Sequence, residues 1–149
     1  MTDRFDQIAV RAAVTAVPDP VTDDLRTRLR QLPVTLRRCG LPATLAMLMA
    51  REQQGSNQQL RAAYGKAAAE ISKTVGEHLG WHGDGAGPLT PEQLLRKLGD
   101  ADPVDYATAT RYAELITIWL KRLAEARYQQ AKARPAGTET DPDGQEEPS

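Results

Sequence analysis

The sequence predicts an all-α fold, a compact bundle of about six helices with a long C-terminal helix and an acidic tail after it. Two observations carry this. Apolar residues recur at helical spacing along the chain, and no run alternates with the period of two expected of a half-buried strand. Proline and glycine fall between these runs, where they suit helix ends. A length of 149 residues fits one domain, expected over residues 1–134, that buries about two thirds of its extended-chain surface.

The first helix is expected over about residues 3–17. Phe5, Ile8, Ala9 and Ala12 form one stripe, and Val10, Val14 and Val17 form a second. Pro18 and Pro20 break it. The next starts near Thr22, an N-cap residue type, with Asp23 and Asp24 favouring the positive end of the dipole. Leu25, Leu29, Leu32 and Leu36 then share one face. That stripe keeps its phase through Pro33, so one long helix to Cys39, kinked at Pro33, is expected.

Gly40 suits the end of that helix and Pro42 the first turn of the following one. The third helix, Leu41 to about Gln53, is almost wholly apolar through Ala50, which places it at the centre of the core. Gly55-Ser56-Asn57 is a turn with a cap. A fourth helix carries Leu60, Tyr64, Ala67, Ile71, Val75 and Leu79 on one side. Gly80 to Thr90 is a glycine-rich loop, Thr90 caps a short helix from Pro91 to Leu98, and the last helix covers about 104–133.

The net charge of −1 conceals an asymmetry. Residues 1–134 hold all 19 Lys and Arg but only 15 of the 20 acids, a net of +4. Residues 135–149 hold five acids and no base, with three prolines and no large apolar residue, so disorder is expected there. Those acids could compete with a nucleic acid for the basic faces of the body. Leu25 to Arg51 contains six arginines and no acid. Cys39 is the single cysteine, which excludes an internal disulfide framework and fits a reducing cytoplasm. No apolar run reaches the ~18 residues of a membrane span, and no signal-peptide pattern opens the sequence.

On a helix turning ~100° per residue, Arg26, Arg30 and Arg37 fall within about 40° of one another, beside the leucine stripe. Such a row can follow consecutive phosphates, because each guanidinium donates two parallel hydrogen bonds. Arg38 and Arg51 add to the region. A solvated helix face is the alternative. On the last helix, Leu115 and Ile118 lie off the main apolar side and are flanked by Arg111 and Arg122. They are either buried on a second face or a surface for another protein.

Catalytic chemistry has little support. His78 and His82 are four apart, but Gly80 and Gly83 break the helix beneath them and no further ligand completes a metal site. A metal-dependent enzyme built on the two histidines is therefore the weakest alternative. The glycine loop lacks the Gly-Lys-Ser/Thr ending of a phosphate loop. No serine, and not Cys39, has an evident base and orienter. No cofactor is expected.

Two stretches resemble a known family. Leu32-Pro33-Val34-Thr35-Leu36-Arg37-Arg38-Cys39-Gly40-Leu41, continuing Ala43-Thr44-Leu45-Ala46-Met47-Leu48, looks like its pattern of Leu-Pro, a basic or polar turn, Gly-Leu and an apolar helix. Trp119-Leu120-Lys121-Arg122-Leu123-Ala124-Glu125-Ala126 looks like its closing Trp-Leu-Lys-Arg-Phe-Ala segment, and Tyr106 and Thr110 match its Tyr and Thr positions. The family is the small all-helical subunit of the type III-B CRISPR–Cas (Cmr RAMP module) effector complex, and the resemblance covers about residues 3–128. Met47 and Leu123 stand where the family usually has an aromatic, and Tyr112 stands where an acid is expected.

The resemblance implies an architectural subunit that stacks in several copies along the crRNA–target RNA duplex. It would touch copies of itself and the other subunits of the complex, while RNA cleavage belongs to the backbone subunit. Arg26, Arg30, Arg37, Arg38, Lys121 and Arg122 are the expected contacts to the RNA backbone, and Arg111, Leu115 and Ile118 the expected protein interface. Phosphate contacts carry affinity without sequence information, as a guide-directed complex requires. A helical protein–protein adaptor with no RNA role is the alternative.

Overall fold

In the computed structural model, residues 2–55 and 57–134 are described. They form six α-helices: α1 (Thr2–Ala16), α2 (Asp23–Cys39), α3 (Leu41–Glu52), α4 (Gln58–Leu79), α5 (Pro91–Asp100) and α6 (Pro103–Ala133). A short 3-10 turn (Asp84–Ala86) lies in the loop before α5, and no strand occurs among the described residues. The acidic segment 135–149 lies outside the described residues.

Local chemistry fixes the ends of these helices. The Thr22 hydroxyl accepts from the Leu25 amide at 3.2 Å, the Asn57 side chain from Leu60 at 3.1 Å, and Asp102 from Asp105 at 2.8 Å. Thr90 and Gln93 form a reciprocal capping box at the start of α5. Gly40 separates α2 from α3. Its φ of 88° suits glycine, its amide donates to Leu36, and its carbonyl accepts from Thr44. α2 continues across Pro33, which is buried.

α6, the longest helix at 31 residues, is the common support. α2 and α1 pack along it, α4 also touches it, α3 lies on α4, and α5 covers α3 and α4. The core joins Leu25, Leu29, Leu32 and Leu36 of α2 with Ile116 and Leu120 of α6, and Leu41, Leu45 and Leu48 of α3 with Ile71 and Val75 of α4. Gln59 ties the α1–α2 connection to α4, donating to Pro20 and accepting from the Thr22 amide.

Three readings of the apolar pattern need correction. α3 is not buried all round: Leu41, Thr44, Leu45 and Leu48 are buried, while Ala43, Ala46 and Ala50 are exposed. Alanine reads as apolar but gains little from burial, so an outward alanine face costs little. In α1, the buried side is Ala9, Ala12, Ala13 and Ala16, which permits close approach to α6, while Phe5 and Val14 are exposed. In α6, the helical spacing of Tyr106, Ala109, Ala113, Ile116, Trp119, Leu120 and Leu123 predicts one broad apolar side, but Tyr106 is exposed.

Candidate functional site

The arginine row of α2 runs beside α6, and one carboxylate organises the seam. Glu125 lies 3.4 Å from Arg26 Nη1 and 3.4 Å from Arg30 Nη2, and it accepts from Gln129 Nε2 at 2.8 Å. Arg26 also holds Asp23 at 2.9 Å and lies 4.2 Å from the centre of the Tyr128 ring. Arg26 reaches both Glu125 and Tyr128, and Arg30 reaches Glu125, so the two helices run in opposite directions.

The charges at this seam reinforce one another. The hydrogen bond from Gln129, with the attraction of Arg26 and Arg30, outweighs partial burial and holds the Glu125 carboxyl below its usual pKa. Burial opposes the charge on Arg26, but Asp23, Glu125 and Tyr128 more than offset it and raise its pKa.

The six basic residues expected to meet RNA therefore fall into two groups. Arg26 and Arg30 are engaged inside the seam. Arg37 and Arg38 close α2, Lys121 and Arg122 lie one turn before Glu125 on α6, and all four are exposed with no ion pair among the described residues. Lys121, four residues before Glu125, shares its face. Arg122 sits 5.2 Å from the centre of the Trp119 ring, which steadies its guanidinium.

The residues expected at a protein interface come together elsewhere. Arg111, Leu115 and Ile118 line one groove of about 510 Å³ between α1 and α6, with Phe5, Asp6 and Tyr112 among the other walls. Tyr112 stacks on His78 at 4.7 Å, and Phe5 meets Tyr112 edge-on at 5.1 Å. His78 is thus packed against an aromatic ring and His82 is exposed beyond the end of α4. No group of three potential metal ligands occurs among the described residues.

Sequence reasoning missed two features of these surfaces. Glu125 has no local signal, because its arginine partners are 99 and 95 residues away. The Phe5–Tyr112–His78 cluster joins three helices and has no local spacing signal.

Residues 4–127 match the family described as CRISPR-associated protein (Cas_Cmr5), and the chain belongs to that family. Cmr5 is a small structural subunit of the type III-B Cmr complex. No curated protein gave a significant match to the chain. Among the described residues, no helix is long and apolar enough to cross a membrane.

Proposed function

We propose that this chain is a non-catalytic structural subunit of a type III-B CRISPR RNA-guided effector complex, acting in the cytoplasm in antiviral defence. It stacks with copies of itself in the minor filament and contacts the target RNA backbone. The observation that supports the RNA contact is that Arg37 and Arg38 at the end of α2 and Lys121 and Arg122 on α6 are exposed and free of ion pairs among the described residues, whereas Arg26 and Arg30 are occupied by Glu125. Guanidinium and ammonium groups on rigid helices match the regular charge of a phosphate backbone. The groove holding Arg111, Leu115 and Ile118 supports the contact with neighbouring subunits.

The test is RNA binding by the full chain and a variant with Arg37, Arg38, Lys121 and Arg122 replaced by Ala. Fluorescence anisotropy with a single-stranded RNA oligonucleotide should show weaker binding and a shallower salt dependence, by about 0.7 in log–log slope for each phosphate no longer neutralised. An intact variant with unchanged affinity and slope would remove these residues from the RNA face. Capture of complex subunits that persists unchanged after ribonuclease treatment would instead favour the adaptor without an RNA role.

A further inference from the structure

A separate hollow of about 470 Å³ lies under the α3–α4 turn, on the other flank of α2. Arg28 is two residues from Arg26, about 200° around the helix, so it faces away from the α2–α6 seam. It lines the hollow with Arg51 from the last turn of α3, Gln54, the α4 cap Asn57, and Tyr64. Among the described residues, no acid belongs to this lining.

The polar groups are arranged for an acceptor-rich ligand. Arg51 Nη1 donates to the Tyr64 hydroxyl at 3.3 Å, and its guanidinium lies 5.7 Å from the centre of that ring. Tyr64 is buried, so its ring is a fixed wall rather than a stacking surface, and its hydroxyl keeps a proton to donate. Arg28 uses Nε toward Asp24 at 3.5 Å, which leaves Nη1 and Nη2 without a partner among the described residues. The Asn57 cap adds the positive end of the 22-residue helix α4.

We infer that this hollow is a phosphate site, in which Arg28 and Arg51 hold one phosphate group beside the Tyr64 hydroxyl. Two guanidiniums from different helices, with donors and no carboxylate in the lining, suit a phosphate better than a cation or an apolar ligand. The hollow is too polar and its aromatic ring too covered to select a base, so it recognises the phosphate alone. Two sources carry that chemistry, a phosphodiester of RNA and a free phosphate or mononucleotide. The site stands whether or not the α2–α6 seam binds RNA.

The experiment is an NMR titration of the full chain, following the Arg28 and Arg51 side chains and the Gly55 and Asn57 amides. The probes are inorganic phosphate, adenosine monophosphate, and an oligouridylate without terminal phosphates, against chloride at equal ionic strength. Saturable shifts confined to these groups are expected with at least one phosphate probe and absent with chloride. Arg51→Gln and, separately, Arg28→Gln should each weaken that binding about tenfold, while Arg96→Gln, at a surface arginine of α5 paired with Glu92, leaves it unchanged. Response to the oligouridylate but not to the small probes assigns the site to RNA, and the reverse assigns it to a free ligand. No saturable response to any phosphate probe would overturn the proposal. So would undiminished binding by both arginine variants, each shown to be folded by its amide spectrum.

Discussion

Arg26 and Glu125, 99 residues apart in the chain, meet at 3.4 Å across α2 and α6, and Arg30 shares the same carboxylate. Glu125 therefore both joins the helices and occupies two arginines that a phosphate could otherwise take. Glu125→Gln should lower the thermal midpoint and, on the proposed RNA reading, raise affinity for single-stranded RNA at low salt. Parallel melting and anisotropy measurements separate the effects. A fall in stability with no gain in RNA affinity would place Arg26 and Arg30 outside the RNA face.

The same carboxylate gives the seam a pH dependence. Its folded pKa is depressed, so its contribution is present above the ordinary glutamate range near ~4.3 and is lost as pH falls through the lower folded value. Arg26, with its pKa raised, stays charged throughout this window and adds no slope. Urea midpoints measured from neutral pH down to the acid range should fall more steeply for the unaltered chain than for Glu125→Gln. Superimposable curves would show that Glu125 does not couple to folding.

α3 should respond on one side only. Leu45 is fully buried, so Leu45→Ala is expected to cost about 2–5 kcal/mol. Ala46, on the exposed side, should tolerate serine within about 0.5 kcal/mol. Chemical denaturation of both variants checks the contrast.

Two glycines in helices should behave oppositely. A Cβ at Gly76 would stand 2.9 Å from the Trp81 carbonyl oxygen and 3.0 Å from Leu89 Cβ, so Gly76→Ala must push the loop before α5 off the helix. A loss of about 1–3 kcal/mol is expected. At Gly99 in α5 nothing lies within 4 Å, and Gly99→Ala should stabilise by up to about 1 kcal/mol. Thermal melts of the pair give the signs directly.

Features that depend on near neighbours were legible in the sequence. Thr22, Asn57 and Thr90 cap the helices where their residue types indicated, Gly40 turns the chain between α2 and α3, and the leucine face of α2 is buried. The class of the fold followed, because it depends on the same periodicities. Burial around α3 is misread when alanine is weighted like leucine. The seam at Glu125 was hidden for another reason: it depends on how two helices far apart in the chain are aligned. The convergence of Arg111, Leu115 and Ile118 on one groove was partly legible, since they share a helix, but Phe5 and Tyr112 completed it from packing alone.

The dominance of α6 has a consequence for how the molecule is made. α2, among the first helices to leave a ribosome, buries its leucines chiefly against α6, which leaves last of the six. Arg127 closes the same circuit by donating to the Val17 carbonyl, 110 residues earlier. α3 and α4 are neighbours and can pair during synthesis, but a nascent chain holds the leucine row of α2 without its main cover until residues near 125 have emerged. A stall or truncation before that point would leave an apolar ridge edged with arginine, a surface for chaperone capture or aggregation rather than a smaller folded unit.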